Sequence, residues 1–181
     1  MFITLKTERL VLRPLSIDDL YSTHAYAGNP ENTKFMVYLP NGTLEETKNF
    51  LSAASAEWEK ENPDFYEFAL VRNRHIGAIS VYLDESRSEG ELGWIIHKDF
   101  WGNGYATEAA FAIKDFAAKE LGLKKLIAHC DGQNAASYHV MSKIGMTLEH
   151  DDGFRYNKNA QKPTRELIYS LSLERKDYGS N

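Results

Sequence analysis

The stretch that decides the fold is GWIIHKDFWGNGYATEAA, Gly93–Ala110. An apolar strand breaks into a glycine-containing loop, WGNGYA, and runs straight into a helix that opens on small residues. Backbone N–H groups in such a loop converge on one spot, and the helix N-terminus adds the positive end of its dipole. The pattern therefore reads as a cradle for a phosphate or pyrophosphate. An ordinary glycine turn between strand and helix shares the same short motif, so the flanking chain has to decide between the two.

Downstream, apolar residues at Ala106, Ala109, Ala110, Ile113, Phe116, Ala117 and Leu121 follow helical spacing over Tyr105–Leu121, and Gly122 is the expected C-cap. Leu126–Cys130 is short and apolar and reads as a buried strand, with Asp131–Asn134 as its loop. A short helix over Ser137–Ile144, stopped by Gly145, and two strands near Thr147–His150 and Arg165–Leu173 complete that side. Upstream, Phe65–Val71 and His75–Leu83 form a hairpin across Arg72-Asn73-Arg74, and Glu91–Ile96 extends it into a meander. Gly93 marks a bulge or a close backbone approach. Earlier still come a strand over Arg9–Pro14, with Leu10 and Leu12 on one face, and a helix of about three turns capped by Ser16 and ending near Gly28. A second helix follows the Thr43-x-x-Glu46 capping box, presents Phe50, Leu51, Ala54 and Trp58 on one side, and stops at Asn62-Pro63-Asp64.

This order excludes two familiar phosphate sites. The dinucleotide fingerprint should follow the first strand of a βαβ unit and carry a third glycine, whereas an antiparallel meander precedes this loop and Thr107 holds that place. Walker A fails because no Gly-Lys-Ser/Thr follows. What remains is an anion cradle after a mid-chain strand, whose helix leads by a right-handed crossover to a parallel neighbour, Leu126–Cys130.

The 181 residues suit one domain spanning 1–181, and 26% charged with 43% hydrophobic residues is ordinary globular usage. No apolar run approaches the ~20 residues that span a bilayer. Met-Phe-Ile-Thr-Leu-Lys lacks the basic and apolar regions of a signal peptide, so a soluble cytoplasmic protein without membrane partners is expected. A net charge of −5 does not suit a nucleic-acid-binding face. The single cysteine, Cys130, reads as a small core residue. His24, His75, His129, His139 and His150 show no metal-ligand spacing, so no metal is expected.

Taken together, ELGWIIHKDFWGNGYATEAA, the Asp131-Gly-Gln-Asn-Ala-Ala-Ser137 segment, Lys143-Ile-Gly-Met146, the opening Thr7-Glu-Arg-Leu-Val-Leu-Arg-Pro14 and the closing Arg165–Leu171 resemble the Gcn5-related N-acetyltransferase (GNAT) superfamily. The likeness is to its branch of ribosomal-protein N-terminal acetyltransferases. The resemblance implies a mixed α/β fold: a mostly antiparallel twisted sheet of about seven strands, splayed between the fourth and fifth, with helices on both faces. It implies acetyl-CoA in that splay, its pyrophosphate on the amides of Gly102, Asn103, Gly104, Tyr105, Ala106 and Thr107, and Asn134 against the pantetheine arm. Trp101 stands where the family signature has Arg or Gln, which leaves the loop amides to hold the phosphate. A homodimer is compatible with the resemblance.

The chemistry needs a base for the protonated amine, a donor for the developing oxyanion and an acid for the leaving thiolate. An unpaired strand N–H at Ile95 or Ile96 suits the oxyanion. Glu91, on the strand beside the thioester, leads as base, with His97 and Glu149 in reserve. Many relatives place a tyrosine acid where this chain has Met141; the ribosomal-protein-like branch uses a serine three residues after the asparagine, here Ser137, with Tyr138 one step round the helix. The bland readings are a solvated strand-end acid for Glu91 and helix capping for Asn134 and Ser137. Met36, Tyr38 and the first two helices fall where the family builds its acceptor pocket. Three functions follow: direct acetylation of a protein N-terminal α-amine; acetylation of a small amine such as a polyamine or aminoglycoside; or CoA sensing without catalysis, given Trp101 and Met141.

Overall fold

The computed structural model describes residues 2–174. Strands β1 (Leu5–Lys6) and β2 (Val11–Pro14) lead to α1 (Leu20–Ala27) and α2 (Leu44–Glu59). The meander β3 (Phe65–Val71), β4 (His75–Leu83) and β5 (Glu89–Ile96) follows. Then come α3 (Tyr105–Lys119), β6 (Lys125–Asp131), α4 (Ala135–Lys143), β7 (Thr147–Arg155) and β8 (Thr164–Ser172). One eight-stranded sheet results, in the order β1-β2-β3-β4-β5-β6-β8-β7. Every neighbouring pair is antiparallel except β5 with β6, which is parallel.

That parallel pair is joined at one end only. Glu89, Gly90 and Glu91 match Lys125, Leu126 and Ile127, yet β5 runs on to Ile96 and β6 to Asp131. From Leu92 and Ala128 onward the two strands part, and the sheet opens into a V. Its apex is the Glu91–Ile127 row, and its mouth lies at the C-terminal strand ends, where the glycine loop begins.

Side-chain alternation sorts the two faces. Phe68, Leu70, Ile79, Val81, Leu92 and Ile96 pack with Ile113, Phe116 and Ala117 of α3 and with Val140 and Met141 of α4. On the other face, Ala69 and Ala78 pack with Leu15, Tyr26, Ala27 and Leu51, joined by the half-buried Ile95. Trp58, at the end of α2, reaches round the sheet edge: its ring meets Tyr66 and Phe68 edge-on, and its Nε1 donates to the Glu67 carbonyl at 3.0 Å. Cys130 lies in the first cluster, and burial pushes its thiol up to about 11, which leaves it a core residue.

Several expectations need correction. The sheet has eight strands rather than about seven because the two-residue β1 pairs with β2, so the V lies between the fifth and sixth strands, the same two stretches as expected. The first helix is shorter: Ser16 opens a single 3₁₀ turn, its N–H donating to the Asp19 carboxylate at 3.1 Å, and α1 follows from Leu20. Phe50 is not on the buried side of α2; Thr47 and Glu57 are. α4 begins at Ala135, two residues early, and β7 extends to Arg155. Gly93 makes no bulge. It pairs in regular register with Ser80, and a Cβ there would sit 3.2 Å from the Ser80 hydroxyl, so the missing side chain keeps that row open.

Candidate active site

The glycine loop is built to leave its amides free. Gly102 and Gly104 hold left-handed conformations (φ 75° and 78°), which side chains resist, and Gly104 is the N-cap of α3. The first intrahelical bond is Glu108 N–H to the Gly104 carbonyl at 3.0 Å. Among the described residues, the amides of Gly102 through Thr107 meet no protein acceptor. A Cβ on Gly102 would meet nothing within 4 Å, so the cradle opens outward. A diphosphate fits this set: converging N–H donors, a helix dipole and a cation beside them.

The cation is Arg9, which sequence reading did not single out. Its guanidinium donates to the Asn103 carbonyl (3.0 Å) and the Glu108 carboxylate (2.7 Å) and lies 4.7 Å from the Tyr105 ring centre. Thr7 Oγ1 and the Arg9 N–H also donate to Glu108. Burial works against the Glu108 carboxylate, but these bonds outweigh it and hold its pKa below the ordinary value. The acid in the first helical turn is thereby tied to the N-terminal segment. Asn103 Nδ2 closes the loop from within, donating to the Phe100 and Trp101 carbonyls.

Trp101 has a structural task. Its ring is half exposed, and its Nε1 donates to the Ile96 carbonyl at 2.7 Å, pinning the loop to the end of β5. The buried Asn32 adds a second bond to that carbonyl (2.6 Å) and accepts from the Lys98 N–H (3.1 Å). Trp101→Phe keeps an aromatic ring and deletes one hydrogen bond of about 1 kcal/mol, so the KM for a substrate whose diphosphate sits on the loop should rise roughly fivefold with kcat little changed; steady-state kinetics checks it.

Register decides which β5 amides face the V. The His97 N–H donates to the Ile76 carbonyl at 2.8 Å. Antiparallel pairs alternate, so Glu91, Gly93 and Ile95 also turn their backbone groups to β4, and Leu92, Trp94 and Ile96 turn theirs to the gap. Of the two expected oxyanion donors, Ile96 faces the gap and Ile95 does not. Ile95 instead packs its side chain toward α1 and α2.

Glu91 stands at the apex, exposed, on the α1/α2 face, in register with Tyr82 and Ile127. All three line a cleft of about 160 Å³ rimmed by Asp84 and Glu89. Ser137 and Asn134 lie across the V at the start of α4, where Asn134 Oδ1 accepts from the Ser137 N–H at 3.2 Å. The capping role of Asn134 is therefore present, and the Ser137 hydroxyl makes no bond to protein among the described residues. Tyr138 is half-buried against the core, and Met141 is buried. The reserve bases are occupied: His97 Nδ1 accepts from the Asp99 N–H (3.3 Å), and Glu149 pairs with Lys125 (3.1 Å), its carboxyl held below its usual range by Ser170 and Lys125. The segment between α1 and α2 straddles the V. Asn32 fastens it to β5, while the Lys158 N–H donates to the Met36 carbonyl (2.9 Å) beyond β7; Tyr38 is left exposed on it.

Sequence reading also missed Glu67, a carboxyl 7% exposed in the middle of the apolar strand FYEFALV. Burial pushes it up to about 8, which hydrogen bonds to Tyr82 and Ser80 only partly offset. A lone acid in a buried strand was the signal.

Known proteins resemble this chain in sequence and fold. An uncharacterized N-acetyltransferase of Bacillus subtilis, YnaD, is 32% identical over 79% of this chain and 82% of its own. Escherichia coli spermidine N(1)-acetyltransferase is 25% identical over 76% and 73%. The crystal structure of a GNAT-family acetyltransferase from Bacillus anthracis superposes with a TM-score of 0.81 at 27% identity, covering 94% of this chain and 99% of that one. No helix among the described residues is long and apolar enough to cross a membrane. The acetyltransferase (GNAT) domain family matches residues 9–147, a span from the arginine beside the cradle to the first residue of β7: the chain belongs to that family and is an N-acetyltransferase that works with acetyl-CoA.

Proposed function

We propose that residues 1–181 act as one domain that transfers acetyl directly from acetyl-CoA to a primary amine, in a ternary complex and without a covalent enzyme intermediate. The acceptor on this reading is a protein N-terminal α-amine. The observation that carries the reaction is the joint placement of free loop amides at the mouth of the V and Glu91 at its apex. Acetyl-CoA supplies the activated acyl group. The amides of Gly102 through Thr107 hold its diphosphate, and Asn134 lies beside the pantetheine path. The gap-facing N–H groups nearer the apex, those of Leu92 and Trp94, donate to the carbonyl oxygen as charge develops there, whereas Ile96, five residues and roughly 17 Å along β5 from Glu91, lies beside the pantetheine arm. Glu91 draws in the ammonium and takes its proton, which frees the nitrogen lone pair for attack. Ser137, its hydroxyl unengaged, gives its proton to the thiolate as the C–S bond breaks and takes the second proton of the attacking nitrogen, so the serine is restored and the amide left neutral.

An N-terminal acceptor is supported by the resemblance of the loop and of Asn134–Ser137 to the ribosomal-protein branch. The cleft at Glu91 is also open to solvent along the exposed Tyr82, which leaves room for an extended peptide end. A specific observation favours polyamines as a second reading: Asp84, Glu89 and Glu91 gather at that cleft, and a relative is named for spermidine. Thiol release from acetyl-CoA, measured with N-terminal peptides, with spermidine and spermine and with an aminoglycoside, separates them. Turnover on peptides supports the first reading, and turnover confined to small amines replaces it. Tight CoA binding with no turnover on any acceptor would make the protein a sensor and end the catalytic proposal.

A further inference from the structure

Glu67 is a buried ionisable group that the proposed reaction leaves unused and, unlike Asp19 and Glu57, one with no ion pair among the described residues. Its side chain lies on the α1/α2 face, the face of Glu91, because register carries Glu67 to Ser80 to Gly93 in one row and Tyr82 to Glu91 to Ile127 in the next. The Tyr82 hydroxyl donates to Glu67 Oε2 at 3.5 Å. Tyr82 itself is 41% exposed and forms one wall of the cleft that holds Glu91. Gly93, lacking a side chain, leaves the lane between the two rows open.

The charges around Glu67 do not neutralise it. Tyr26 of α1 and Tyr82 of β4 face it, and both are pushed up by burial, so both stay neutral. Glu57 of α2 is already paired with Lys60, and Arg13 of β2 grips Asp19 through two bonds of 2.8 and 2.7 Å. No positive partner is left for a Glu67 carboxylate among these neighbours. A carboxyl kept in such a place costs stability whenever it ionises.

We propose that Glu67 is the proton store of the acetyl-transfer site, reached from Glu91 through the Tyr82 hydroxyl. The proposal rests on the acetyl-transfer reading above and adds a positioning residue to it. The ammonium N–H bond breaks and its proton passes to the Glu91 carboxylate. Glu91 then gives a proton to Tyr82 Oη as Tyr82 gives its own to the Glu67 carboxylate, so Glu91 is again an anion and Glu67 a neutral acid. Glu67 later returns the proton to water by the same file, which Tyr82 opens to solvent. The balance is one proton released for each ammonium acetylated. An exposed carboxylate holds a proton far more weakly than an amine does. A buried one holds it at nearly matching strength, and transfer is most efficient near such a match.

The store works only when Glu67 is ionised, which burial delays until about pH 8. Glutamine imitates the protonated form. The kcat of Glu67→Gln should therefore approach that of the wild type at pH 6.5 and fall roughly tenfold below it above pH 8.5, and Tyr82→Phe should trace the same divergence. Acceptor ionisation is common to all three proteins and cancels in the ratio. A purely structural role would lower kcat by the same factor at every pH. Stability gives a second readout with a fixed sign. The native carboxyl holds its proton up to about pH 8 while the unfolded one releases it near the ordinary 4.5, so wild-type stability falls as pH rises across that window. Glu67→Gln should melt above the wild type at pH 9 and close to it at pH 4.5. Turnover with a pH-independent ratio in both variants overturns this inference and leaves the proposed reaction standing. No turnover with any acceptor overturns both.

Discussion

Gly104→Val raises the Kd and KM for acetyl-CoA by roughly 10- to 100-fold. Gly104 sits at φ 78° as the N-cap of α3, and an L-residue pays about 1–2 kcal/mol to stay in that region, a branched one more. Valine has two ways out, and both harm the cradle. It can leave the left-handed region, which swings the amides of Gly104 through Thr107 off their common target. It can instead hold the conformation under strain and point two methyl groups toward the Arg9 guanidinium, the nearest group to a Cβ at 3.7 Å. At about 1.4 kcal/mol per tenfold, losing two or three amide contacts to phosphate exceeds the strain itself. Gly122→Val is the control. Gly122 has φ 66° beyond the far end of α3 with nothing within 4 Å of a Cβ, so it carries the same strain away from the loop and should lower the melting temperature while leaving Kd unchanged. Calorimetric titration with CoA reads both. Equal affinities for wild type and Gly104→Val would remove the loop from the binding site.

Glu91→Gln lowers kcat by about 10²–10⁴, the range set by loss of a positioned base, and leaves the KM for acetyl-CoA unaltered. The separation follows from position. Glu91 belongs to the apex row with Tyr82 and Ile127, whereas the amides proposed to hold the diphosphate lie at the mouth, beyond the end of β5. Its side chain is exposed and enters no ion pair among the described residues, so little stability should go with it. Ser137→Ala is expected to act more weakly, because water can replace a hydroxyl that returns a proton to a thiolate. A Glu91→Gln enzyme with wild-type kcat at saturating acetyl-CoA would show that the proton leaves by another route.

Much of the fold is legible in the chain because local pattern and tertiary role agree. The hairpin Phe65–Leu83 turns where Arg72-Asn73-Arg74 sits, and α3 starts at Tyr105 after the left-handed Gly104. The elements that escaped have no local signature. β1 is two residues long and exists only because β2 pairs with it. For β7 only the continuation from His150 to Arg155 escaped: the strand exposes both faces along most of its length, so no period carries the reading onward. Within the site, a glycine loop announces free amides, but backbone direction is a property of register rather than of composition. That is why Ile95 and Ile96 were indistinguishable until β4 was placed beside them. Trp101 looked like a departure from the family signature; its role as a brace depends on the Ile96 carbonyl lying within reach of the indole. Arg9 and Glu108, ninety-nine residues apart in sequence, meet only because β2 and α3 close on the same end of the sheet. Glu67 needed only attention to a lone acid among buried neighbours, although its link to Glu91 through Tyr82 required the register.

The central claim is that acetyl-CoA enters the V between β5 and β6 from the glycine-loop end. A crystal structure with CoA bound tests it most directly. The account predicts the diphosphate on the amides of Gly102 through Thr107, the pantetheine arm running between Ile96 and Asn134, and the sulfur nearest the Glu91–Ile127 apex. A diphosphate bound away from the loop, or an arm lying outside the parted strands, would contradict it.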